Sequence, residues 1–174
     1  MTRLLTGLVL LLLTLGTCMV GAAEDATKVK IGVYDSRGVA IAYGRSTEFI
    51  QSVVEKWKAD HAKAVADKDE KRAKELEQEQ QWAEARLHLR GISTVGMSDI
   101  LAKVSDALPG IAKEAGVTLI VSKWAMDYCD PSVETVDVTL PLARLFHPDE
   151  ETLKTLEELG SQPPVPFDEM PLSE

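Results

Sequence analysis

Two short apolar runs stand far apart in this chain: Val29 to Tyr34 (VKIGVY) near the start, and Val117 to Ser122 (VTLIVS) well downstream. Each has the length and β-branched content of a strand, and neither is an adequate core alone. From Ser46 to Arg90 there is no glycine and no proline, and Ala, Glu, Lys and Gln dominate, so the intervening stretch is read as helix. If the two runs pair, everything between them must leave a small sheet and come back to it. The class that follows is α+β: a small β-sheet body with a long helical arm or hairpin, about 46–108, inserted between the first and second strands.

The apolar stripe along the arm is uneven. Phe49, Ile50, Val53, Val54, Trp57, His61, Ala64 and Val65 follow the three/four spacing of a buried face. From Ala66 to Gln81 only Ala66, Ala73 and Leu76 are apolar, so that part is expected to bury little and to meet solvent or a partner helix along a narrow seam. An unbroken helix over 47–90 would span ~66 Å at about 1.5 Å per residue. Because the return is shorter, the helix either overhangs or breaks between Ala66 and Glu70. Trp57 and Trp124 are expected in the core. Leu76, Trp82, His88 and Arg90 are the candidate partner-binding residues: Leu76 and Trp82 in the polar stretch, His88 and Arg90 beside the break at Gly91.

Elsewhere the punctuation is clearer. Asp35 or Ser36 can cap a short helix over 37–43 that Gly44 ends, and Ser98 can cap a helix to Ala115 that Pro109 kinks or splits, with Gly116 at its C′ position. The second strand is expected to extend through the alternating Trp124, Met126 and Tyr128. Val136 to Val138 reads as an edge-like third strand, Thr139 or Leu140 to Phe146 as a helix, and Pro148-Asp149 to Gly160 as the last helix. Ser161 to Glu174, with four prolines, reads as a mobile tail.

Residues 1–23 carry Arg3, a leucine-rich run from Leu4 to Leu15 and small residues at Gly21 to Ala23, the pattern of a signal peptide cleaved after Ala22 or Ala23. The rival readings are an uncleaved anchor and lipidation at Cys18 within Leu15-Gly16-Thr17-Cys18. Removal of 1–23 leaves one domain over 24–160 plus the tail, with no spanning helix, 18 basic against 28 acidic residues and a net charge of −10. Such a balance argues against nucleic acid as a partner, because phosphate binding draws on clustered Lys and Arg. Only Cys129 remains, so no internal disulfide can form, and stability must come from packing or assembly.

No chemistry-bearing motif competes with a binding role. His61, His88 and His147 have no His or Cys at metal spacing, and Asp127, Asp130, Glu134 and Asp137 lack the glycine of a calcium loop. There is no G-x-S-x-G, phosphate loop or H-E-x-x-H, so no catalytic residue, cofactor or metal is assigned.

Two stretches carry a resemblance. Lys30 to Ala40 (KIGVYDSRGVA) and Ile111 to Phe146 (IAKEAGVTLIVSKWAMDYCDPSVETVDVTLPLARLF) resemble the two ends of the OmpH/Skp family of periplasmic chaperones. The resemblance implies a periplasmic trimer whose short strands form a central barrel, with helical arms sheltering unfolded outer-membrane or envelope polypeptides. The chain departs from that family in a shorter middle (Ser46 to Leu108), an acidic overall charge, and residues 149–174 beyond the usual end. An envelope adaptor on the same fold, gripping one folded partner with short acidic arms, is the alternative.

Overall fold

A computed structural model describes residues 29–166 and 169–170; the expected signal peptide with Cys18, and the end of the expected tail, lie outside the described residues. Three strands, β1 (Lys30–Tyr34), β2 (Leu119–Ser122) and β3 (Glu134–Asp137), form one sheet in the order β2-β1-β3. The bracketing runs do pair. β1 lies in the centre and is parallel to both neighbours, with Gly32 opposite Ile120 on one side and Val136 on the other. The class is α+β. β2 stops at Ser122, where the Ser122 hydroxyl accepts the Trp124 N–H and the Ser122 carbonyl accepts the Ala125 N–H. This turn removes the expected extension through Tyr128.

Alternation puts Gly32, Tyr34, Ile120 and Val136 on the face that meets the core. Against it pack α1 (Ser36–Gly44) and α7 (Thr139–Arg144), supplying Val39, Ala40, Ala42, Tyr43, Leu142 and Ala143, with Leu156 from α8 (Glu150–Gly160) beyond them. The opposite face carries Ile31, Val33, Leu119 and Val121, none of which joins that cluster, and Leu119 is 52 % exposed. A parallel sheet is ordinarily covered on both faces, so among the described residues this one is unusual in being covered on one.

The arm is a hairpin, not one long rod. Its first limb starts at α2 (Thr47–Phe49), capped by Ser46 through the Phe49 N–H. It winds as a π-helix through Ile50–Glu55, where the Ser52 hydroxyl donates to the Glu48 carbonyl, and continues as α3 (Lys56–Ala66). The chain then reverses. Lys68 sits in the left-handed region at φ 57, the Asp69 N–H bonds the Ala64 carbonyl and the Lys68 N–H the Val65 carbonyl, the pattern of a Schellman stop. Asp69 immediately caps α4 (Glu70–Ile92) through the Arg72 N–H. The unbroken ~66 Å rod is thereby excluded: α4 spans ~35 Å and returns to the body.

After α4 come α5 (Ser98–Leu101), a 3-10 stretch (Ala102–Ala107) and α6 (Leu108–Ala115). Ser98 does not cap: Met97 holds the N-cap position without a side-chain bond. Pro109 lies in the first turn of α6, where its missing N–H costs nothing, and Gly116 closes that helix at φ 65 as expected. Among the described residues no helix is long and apolar enough to cross a membrane.

Candidate functional site

The two limbs of the arm touch at the far end and part nearer the body. At the far end the Trp57 indole N–H donates to the Leu76 carbonyl at 2.7 Å, and Trp57 stacks on His61 with ring centroids 5.3 Å apart. His61 Nε2 also faces Glu77 Oε1 at 3.1 Å, and Ala64 and Leu76 are buried between the limbs. At the root, α4 packs on α1 through small residues: a Cβ on Gly44 would lie 2.8 Å from Leu87 Cδ2, and one on Gly91 would lie 3.5 Å from Ile41. Between these contacts the π-helical turn stands off from α4, and none of Ile50–Glu55 is buried.

The gap is an apolar furrow of ≈ 430 Å³, floored by Ala40, Ile41, Phe49, Val54, Ala83 and Leu87, with Arg45, Gln80, Glu84 and His88 around it and Ile92 among the lining residues at its root end. A second hollow of ≈ 290 Å³, lined by Val53, Trp57 and Leu76 with Lys56, Asp60, Arg72 and Glu79, shares Gln80 and Ala83 with the first. Together they run along the hairpin from body to tip. An open apolar trough edged by charges of both signs suits an apolar chain segment with polar flanks.

The four expected contact residues separate. His88 lines the furrow. Leu76 lines the adjoining second hollow, but is 3 % exposed, so it is part of the hairpin's own packing and not a free contact. Trp82 is 76 % exposed, yet at about 100° per residue it falls on the far side of α4 from Gln80, Ala83 and Leu87. Arg90 is mostly buried and bonds Asp99 at 2.7 Å, pinning α4 to α5 instead of facing a partner. Conversely, Val54, expected on the buried face, lines the trough, as does Phe49, which also packs edge-on against core Tyr43 with ring centroids 5.2 Å apart; Ile50 and Val65, from the same stripe, are exposed. The run of β-branched residues at Ile50, Val53 and Val54 was the available signal for irregular helix there.

Nor are the arms acidic. Residues 47–92 hold ten acidic and nine basic side chains, whereas 93–174 hold fifteen acidic and five basic. The negative charge belongs to the C-terminal half, and the arm is nearly neutral.

A second constellation lies at the carboxyl ends of the strands, where parallel sheets commonly bind ligands. Asp35, 4 % exposed, accepts Arg37 N–H and Nε at 3.0 Å, Arg37 Nη2 at 2.7 Å, Lys123 Nζ at 2.7 Å and the Trp124 indole N–H at 3.2 Å. Its own N–H donates to Thr139 Oγ1 at 2.9 Å. Burial pushes this carboxyl up, but the hydrogen bonds from Arg37, Lys123 and Trp124 outweigh it and bring it down to about 2. Trp124, expected in the core, is half-buried over this knot, with Lys123 Nζ 4.5 Å and Arg37 Cζ 5.3 Å from its ring. With its oxygens so fully engaged, Asp35 ties β1 to the segments after β2 and β3. Among the described residues no group of three or more His, Cys, Asp or Glu is placed to hold a metal. No protein-family model, curated protein or solved structure matches the chain.

Proposed function

We propose that this chain is an exported, non-catalytic holdase of the OmpH/Skp kind, periplasmic after removal of its signal peptide, which takes apolar segments of unfolded outer-membrane or envelope polypeptides into the furrow of its arm. The observation that carries the reading is the splayed hairpin: an apolar trough held open on an arm that projects from a small sheet. The nearly neutral arm supports it further, since clients can approach without the repulsion that fifteen acidic residues against five basic impose beside the C-terminal half. The half-covered sheet supports self-assembly, with a trimer as the proposed form: among the described residues Ile31, Val33, Leu119 and Val121 lie outside the core cluster, and Leu119 is largely exposed.

The test is an aggregation assay on an unfolded outer-membrane protein. The native chain should suppress precipitation at near-stoichiometric amounts, and Val54→Asp, which places a charge in the furrow, should lose that effect while remaining folded. Solitary Trp82 on the outer side of α4 favours the second reading, an adaptor gripping one folded partner. No suppression by the native chain, with capture of a single folded envelope protein that Trp82→Ala abolishes, would replace the first reading with the second.

A further inference from the structure

Beyond α8 the chain stays on the body. The Leu159 and Gln162 carbonyls both accept from Arg37 Nη2, at 3.4 and 2.8 Å. Three residues later the Val165 N–H donates to the Ile92 carbonyl at 2.9 Å. Arg37 is itself fixed by Asp35, so one line of hydrogen bonds runs from the carboxyl end of the sheet, through the tail, to the last residue of α4. The segment between the anchors suits that task. Pro163, Pro164 and Pro166 have no N–H and a fixed φ, which makes a stiff, extended link with little entropy left to lose. Val165 therefore owns the one backbone donor within 163–166. It spends that donor on Ile92, whose carbonyl is among the last four of α4 and has no partner inside its own helix. Ile92 also lines the furrow at its root.

We propose that residues 161–166 are a strap that clamps the root of α4 to the body and so sets the width of the furrow. With the strap seated, α4 stays against α1 and the trough keeps its dimensions. With it released, the root of α4 is held only by its packing on α1 and by the Arg90–Asp99 pair, and the trough widens more readily. Only the consequence for client affinity rests on the holdase reading; the clamp itself does not.

The experiment is hydrogen exchange by mass spectrometry on three full-length proteins: native, Val165→Ala, which keeps the N–H, and Val165→Pro, which removes it. Loss of one hydrogen bond should raise exchange in peptides covering 80–92 by about 5-fold. That rise is expected in Val165→Pro and absent in Val165→Ala, with peptides covering 139–156 unchanged in both. A chain ending at Pro164, which retains Gln162 and its bond to Arg37, should behave as Val165→Pro does. Equal exchange in the proline and alanine variants would overturn the strap, as would a rise of the same size over 139–156, which would mean general loosening. Client binding is then measured on the same proteins with an unfolded outer-membrane protein. If exchange responds as expected but no variant binds that client, the strap stands and the holdase reading falls.

Discussion

Replacing Asp35 with Asn isolates the charge of one buried group. Asn is nearly the same shape and is itself a good N-cap, so the bond from the Arg37 N–H that starts α1 can survive. What disappears is the negative charge between Arg37, which is 1 % exposed, and Lys123. A buried guanidinium without its carboxylate costs about 3 to 5 kcal/mol, a large part of the roughly 5 to 15 kcal/mol that holds a domain together. The depressed carboxyl sets the scale a second way: a fall from 3.8 to about 2 corresponds to roughly 2 kcal/mol. The smaller value counts only protonation; the larger includes the amide's donor pointing at cations. Its sign is fixed by the direction of the shift. A carboxyl depressed in the fold contributes fully above its unfolded value near 3.8 and loses that contribution as pH falls towards 2. Urea unfolding of native and Asp35→Asn protein at pH 7 should differ by at least 2 kcal/mol, and the gap should narrow between pH 4 and pH 2. A gap below about 1 kcal/mol at pH 7, or one indifferent to pH, would refute the view that Asp35 holds the strand ends together.

Leu76→Ala should cost about 2 to 5 kcal/mol, whereas Trp82→Ala should leave stability within about 0.5 kcal/mol; thermal melts of the two variants check the contrast. Gly44→Ala gains roughly 1 kcal/mol of helix propensity but sets a methyl 2.8 Å from Leu87 Cδ2, so a net loss of about 1 to 2 kcal/mol is expected. Truncating Leu87 in the same chain should remove the clash term, and a neutral or stabilising Gly44→Ala would show that α4 moves aside freely. Leu119→Lys, on the uncovered sheet face, should shift sedimentation at micromolar concentration from oligomer to monomer; a native chain already monomeric there would remove the basis for a trimer.

The parts of the fold legible in the sequence are those whose chemistry is local. Asp35, Asp149, Gly116 and the prolines announce their helix ends, and two compact β-branched runs announce the strands that pair. The reversal at the arm's tip was harder, because the left-handed position holds Lys68 instead of glycine, at a cost of about 1 to 2 kcal/mol that the closing bonds of the turn must offset. The site was harder still. Leu76 looks solitary among charges, and only the approach of Trp57 and Ala64 from the other limb buries it. Trp124 alternates with Met126 and Tyr128 as a strand would, but the pull of Asp35, remote in sequence, decides its place. The tail's prolines suggest mobility until Ile92 and Arg37 supply partners for 162 and 165.

The central position of β1 has a consequence for how the molecule comes to exist. Thr118 bonds the Lys30 carbonyl across 88 residues, and Lys30 meets Glu134 across 104, so the first strand to be made waits through the whole arm before either edge is paired. The arm closes over far shorter distances, Trp57 to Leu76 being 19 residues apart. Loop-closure entropy therefore orders the events, with the hairpin forming early and the sheet late. During that interval VKIGVY is an unpaired, apolar, aggregation-prone strand, and refolding should lose yield as protein concentration rises. Pulsed hydrogen exchange during refolding reads the order directly: protection should reach 56–66 and 70–92 before 30–34, and simultaneous protection would mean that the body, not the arm, organises the chain.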